Sequence, residues 1–262
     1  MPNNSTRAQN EQAAIDAQRH NRQQWLVIGA VSGIISAIVL GLAVILIGAT
    51  RPPPGLYDRL TQTTSAEGFP ILGDPNTALV IAEITDFNCV PCSTYYQIND
   101  AQIIDAFVRN GRARLTWVLT GTNANTTAID QAALCALAQH KFWVARDALF
   151  AYQSRFAPAQ AASDAFSLGM VQDAIVPGGV NRDQIAACVN DSLTLPILNA
   201  GQAFQSNNKV TNVPILLWRV GNTPWQPFLG SDNQPYVNNA PPIEILGRTI
   251  DFYYSTAAPG VK

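Results

Sequence analysis

The sequence predicts an α/β domain that carries an inserted α-helical region and is preceded by one N-terminal transmembrane helix. Residues 25–50 form an uncharged apolar run, residues 78–120 read as strand, helix and strand, and residues 127–208 are rich in Ala and Gln with almost no strand character. A chain of 262 residues is long enough to bury a substantial core. Only 13% of it is charged and the formal net charge is −2, with no basic stripe, so nucleic acid is not an expected partner.

Residues 1–24, rich in Asn, Gln and Ala, read as a cytoplasmic tail. The run "WLVIGAVSGIISAIVLGLAVILIGAT" (25–50) follows; at ~1.5 Å per helical residue it spans a hydrocarbon core of about 30 Å. A cleaved signal peptide is the competing reading, but its apolar region is only roughly 7–15 residues and ends at a small-residue site, which "LIGATRPPP" does not offer. A retained anchor is therefore expected, with Trp25 at the membrane interface. Arg7, Arg19 and Arg22 precede the span and Arg51 and Arg59 follow it, which leans toward a cytoplasmic N-terminus and an extracytoplasmic remainder. Gly29 and Gly33 form a G-x-x-x-G, read as chance in a Gly-rich span. Consecutive prolines in "RPPPG" (51–55) stop the helix, and residues 51–77 read as a linker whose Leu56, Tyr57, Leu60 and Phe69 are available to dock.

The folded domain is expected over 78–258. "ALVIAEITDF" (78–87) is apolar and β-branched on both faces, the pattern of a buried strand. "VPCSTYYQINDAQIIDAFVRNG" (90–111) has helical spacing in Ile98, Ile103, Ile104 and Phe107 and a stop at Gly111. With "RARLTWVLT" (112–120) it makes a βαβ unit, which implies a parallel strand pair. The insertion, about 127–208, reads as several helices, one of them capped by Asn181. "VPILLWRV" (213–220) returns to strand, "PWQPFLG" supplies a short partner, and "PPIEILGRTIDFYYS" (241–255) closes as a helix with Pro at its start. Trp117, Trp143 and Trp218 fall in packing elements. The turn-rich loop around Trp225 reads as an elaborated hairpin or a partner surface.

Chemistry is expected at "DFNCVPCSTYY" (86–96). Cys89 follows a strand and opens a helix, where backbone N–H groups and the helix dipole favour a thiolate. Cys92 is one turn further on the same face, placed to attack a mixed disulfide. Pro91 suits a first helical turn, which needs no N–H there. Val213-Pro214, immediately before a strand, is the candidate cis peptide.

Taken together, "TDFNCVPC", "AALCALAQHKFWVARDALFAYQ" and "KVTNVPILLW" resemble the active-site stretch, inserted helices and cis-proline loop of the DsbA-like thiol:disulfide oxidoreductase family, over roughly 78–256. The resemblance implies a thioredoxin-like fold with an inserted α-helical domain. It makes Cys89 the attacking and Cys92 the resolving cysteine, with Pro214 the facing cis-proline and Val213 and Pro91 substrate-binding. Glu83 stands six residues before Cys89, where thioredoxin-fold proteins often bury an acid that handles the proton of the inner cysteine. Apolar Ile81, Ala82 and Ile84 around it favour burial; an exposed strand position is the plain alternative. The Val90-Pro91 dipeptide lacks the His of the strongest oxidants, and Val213 replaces the usual Thr, so the direction of electron flow stays open.

Cys135 and Cys188 complete an even count of four cysteines and are expected to form a structural disulfide between the first and fourth inserted helices, rather than a second redox pair. Metal binding has little support: there is one close-spaced cysteine pair, and the histidines are His20 in the tail and His140 at a helix boundary. No dissociable cofactor is implied. The expected partners are proteins with thiols or disulfides, the bilayer and a membrane redox partner that recycles the pair. The rival reading is a non-catalytic accessory or scaffold subunit of a membrane complex.

Overall fold

The computed structural model describes residues 55–121, 127–156, 167–237 and 239–256. The expected tail, the span at 25–50 and the first residues of the linker lie outside the described residues, as do His20 and Trp25. Among the described residues no helix is long and apolar enough to cross a membrane.

The folded unit begins at Leu56, well before the expected start at Ala78. Two short strands, β1 (Gln62–Thr64) and β2 (Pro70–Leu72), precede β3 (Leu79–Thr85). A long helix, α1, then runs from Val90 to Val108, with π-turns over Tyr96–Asp100 and Ile104–Val108. It leads to β4 (Arg114–Leu119). The insertion holds α2 (Thr127–Cys135), α3 (Phe142–Phe156), α4 (Leu168–Ile175), α5 (Arg182–Asn190) and α6 (Leu195–Asn207). The chain ends in β5 (Ile215–Val220), β6 (Gln226–Pro227) and α7 (Ile243–Thr256).

The strands form one sheet in the order β1-β2-β4-β3-β5-β6. The β3–β4 pair is parallel, as the crossover through α1 requires, and β5 lies antiparallel on the other side of β3. So β3 is central and every one of its residues is buried. Residues 56–77, expected as a linker, instead extend the sheet: β2 pairs antiparallel with β4, and β1 with β2. Their brevity and the polar sequence of β1 hide them from periodicity. Ile98, expected on the apolar face of α1, is 61% exposed.

Alternation along the strands separates two cores. One face carries Leu79, Ile81, Leu115, Trp117 and Leu216 and packs with Cys92 and residues of α1–α5 and α7. The other carries Ala82, Ile84, Val118, Ile215 and Leu217, against which Ile197, Ala200 and Phe204 of α6 pack. Helix α6 approaches β4 so closely that a Cβ at Gly201 would lie 1.9 Å from the Leu119 carbonyl oxygen. Asn181 caps α5 by accepting the Gln184 N–H at 3.0 Å. His140, with φ 54°, ends the turn between α2 and α3 in the left-handed region. Cys135 and Cys188 are disulfide-bonded, tying α2 to α5.

Candidate active site

The turn out of β3 is shaped by Asp86, whose carboxylate accepts the Asn88 N–H at 2.7 Å and whose carbonyl accepts the Cys89 N–H at 3.2 Å. Cys89 thereby becomes the N-cap of α1, and the Cys92 N–H donates to its Sγ at 3.0 Å. That hydrogen bond and the helix N-terminus favour negative charge on the Cys89 sulfur. Pro91 occupies the first turn of α1 without interrupting its backbone ladder.

Cys89 and Cys92 form a disulfide with unequal exposure. Cys89 is half-buried and Cys92 is fully buried, so an incoming sulfur has access to Cys89 alone. The peptide bond Val213-Pro214 is cis, and Cys89 Sγ lies 3.5 Å from the Val213 carbonyl oxygen. Val213 is half-buried, while Val90 and Pro91 are exposed beside it. The cysteine turn and the cis-proline turn, 124 residues apart in sequence, therefore share one surface.

Glu83 is 1% exposed and sits between Trp117 of β4 and Leu216 of β5, on the sheet face whose core includes Cys92. Burial, reinforced by the charge of Asp100 and opposed by Arg146, pushes its pKa up to about 8. Its carboxyl oxygens have no hydrogen-bond partner among the described residues. Glu83 is thus a protonated acid at neutral pH, able to give up or take back a proton near the pH at which thiols ionise.

The charges that surround it were not anticipated. Arg146 of α3 is fully buried and donates to both carboxylate oxygens of Asp100, at 3.1 and 2.5 Å. It also donates to the Tyr57 hydroxyl at 2.8 Å, which in turn donates to Asp147 at 2.6 Å. Trp117, Trp143 and Tyr96 pack around the guanidinium, with ring centroids 4.4, 4.8 and 5.0 Å from its central carbon. Burial opposes the charge of Arg146, but Asp100, Tyr57, Asp147 and Tyr96 together outweigh it and hold its pKa above the ordinary value. A second buried acid, Asp130 of α2, is raised well above the usual carboxylate range by burial and by Asp86. The Phe87 and Gly121 amides favour its charge without reaching hydrogen-bonding geometry. Their only sequence signal was a charge at a core position of an apolar helix, in "WVARDALF" and "TAIDQAAL".

The thioredoxin family model matches residues 65–218. No curated protein sequence matches the chain. Among solved structures, alpha-DsbA1 of Wolbachia pipientis superposes with a TM-score of 0.59 at 14% identity, over 73% of this chain and 94% of its own. Oxidised BdbD of Bacillus subtilis gives 0.55 at 12% identity, over 75% and 98%. DsbA of Chlamydia trachomatis gives 0.51 at 19%, over 74% and 96%. At these identities the likeness is one of fold.

Proposed function

Because the chain belongs to the thioredoxin family, and its fold is that of the DsbA-type structures, we propose that it is a membrane-anchored, extracytoplasmic thiol:disulfide oxidoreductase. One observation carries the reading: an unequally exposed disulfide at a helix N-terminus, facing a cis-proline turn. In the oxidising direction a substrate thiolate attacks Cys89 Sγ, forming a mixed disulfide and expelling Cys92 as a thiolate. Protonated Glu83 supplies the proton that neutralises this buried thiolate. A second substrate thiolate then attacks the substrate sulfur of the mixed disulfide and releases the Cys89 thiolate. The substrate loses two electrons and the Cys89–Cys92 pair gains them; the reducing direction is the same path reversed. Val213, beside Cys89 and half-exposed, offers backbone groups for an extended substrate segment, and Pro91 lines the same surface.

The uncharged run at 25–50 supports anchoring, and two disulfides suit an oxidising compartment. Turnover in either direction requires a redox partner, assigned here to the membrane, that returns the pair to its starting state. The test is the reduction potential of Cys89–Cys92 in the full chain, by glutathione-buffer equilibration and thiol trapping. A catalytic pair lies well above roughly −300 mV, and its value sets the direction of electron flow. A pair that resists reduction to below about −300 mV is a staple, and the scaffold reading replaces the enzyme.

A further inference from the structure

The sheet face opposite Glu83 holds a second polar site. Val80 of β3 pairs with Arg114 of β4 on one side and Arg219 of β5 on the other, so the two arginines flank it on one face. With neighbouring strands about 4.8 Å apart, their Cα atoms lie roughly 10 Å from each other. Between them is a cavity of about 90 Å³, whose rim includes Ser65, Glu67, Thr116 and Trp225.

Like charges set side by side on a sheet disfavour one another unless something negative joins them. Neither arginine belongs to an ion pair among the described residues. Arg114 donates to the Pro75 carbonyl through Nη1, and Arg219 stacks against Trp225 with its central carbon 4.3 Å from the ring centroid. Each keeps a buried Nε–H with no acceptor. Glu67 does not fill the role, since it is exposed and forms no ion pair with either arginine among the described residues, although the Ser65 hydroxyl, its own backbone amide and Arg219 all favour its charge. Partial burial and Arg114 push the Arg219 guanidinium below its ordinary value, with Glu67 only partly offsetting them. Trp225 also packs edge-on against Phe204, at 5.3 Å between ring centroids, which restrains the stacked arginine.

We propose that this pocket is a binding site for a single oxyanion of carboxylate size, held between the guanidinium groups of Arg114 and Arg219. The fork of each guanidinium matches a planar oxyanion. At about 90 Å³ the cavity has room for a group of that size. The oxyanion is either a free small ion or the acidic side chain of a protein partner. The pocket lies on the sheet face away from Cys92.

The full chain in detergent is titrated with sodium acetate, and separately with N-acetyl-aspartyl amide as a side-chain mimic, against sodium chloride at equal ionic strength. The readouts are the arginine Nε–H resonances and the Tm. A saturable shift of two such resonances with either probe, and a Tm rise lost in Arg219→Gln and Arg114→Lys but kept in the control Arg109→Gln, supports the site. The tighter probe names the source. No saturable shift with either probe, or a Tm rise equal in all variants as general salt exclusion produces, overturns it. The resonance titration of the unmodified chain decides the matter even where a variant fails to fold.

Discussion

Replacing Glu83 by Gln removes an ionisable proton and keeps the shape of the side chain, so its effect on stability is expected to depend on pH. In the unfolded chain the carboxyl titrates near 4.5, whereas in the fold burial holds its pKa at about 8. Between those values the folded state binds the proton that the unfolded state has released, so wild-type stability falls as pH rises. Below pH 4.5 both states are protonated and this contribution vanishes. At pH 7 the unfolded state gains about 3 kcal/mol from ionising, and above pH 8 the difference levels off near 5 kcal/mol, from about 1.4 kcal/mol per pH unit. The Gln variant has no such dependence. Its unpaired buried amide costs a constant amount, so subtracting the two proteins isolates the titration of Glu83. Urea unfolding of the oxidised proteins at pH 4.5, 7 and 8.5 is expected to show the variant gaining on wild type by several kcal/mol. Reduction of Cys89–Cys92 by dithiothreitol is expected to slow at least tenfold at pH 7, because the leaving Cys92 thiolate loses its proton donor. A stability difference that stays flat from pH 4.5 to 8.5 would refute both the burial of an ionisable carboxyl and its role in exchange.

Cys92→Ser is expected to accumulate mixed disulfides through Cys89 with a reduced, unfolded substrate, visible on non-reducing gels. Cys89→Ser is expected to form none, and equal trapping by both variants would contradict the assigned order of attack. Cys135→Ser/Cys188→Ser opens a loop closed across 53 residues and is expected to lose up to about 4 kcal/mol of stability without moving the Cys89–Cys92 potential; a moved potential would make the second bridge part of the redox machinery. Gly201→Ala would gain about 1 kcal/mol in an unobstructed helix. Here the clash with the Leu119 carbonyl is expected to reverse the sign, with a loss of about 1–3 kcal/mol in urea unfolding, and a stabilised variant would show that α6 stands further from β4.

What the sequence disclosed depended on how far each feature announces itself locally. Val80 to Ile84 are apolar on both faces around a single acid, so a central strand could be read without knowing its neighbours. Cys89 and Cys92 are three residues apart, and Val213-Pro214 opens an unmistakable strand, so both halves of the site were legible from the residues, while their meeting followed only from the family resemblance. β1 and β2 were hidden because three residues cannot show a period. Arg146 and Asp100 were hidden for a different reason. Charged residues on a helix are ordinarily solvated, and only the fold reveals that these two face each other under α1 among Trp117, Trp143 and Tyr96.

That buried pair also helps explain why Glu83 stays protonated beside a fully buried arginine. Burial is the largest cause and already outweighs the pull of Arg146 on the carboxyl. Asp100 takes both forks of the guanidinium first, and its own charge adds to the burial that raises Glu83. The arrangement depends on register, because β3 carries Glu83 toward the disulfide core and Val80 toward the arginine pocket, and neighbouring residues of a strand point to opposite faces. A slip of one residue would carry Glu83 into the α6 core and point Val80 away from the two arginines. The pairing of β3 on both sides, parallel to β4 and antiparallel to β5, therefore fixes at once the buried acid proposed as proton donor and the floor of the proposed arginine site.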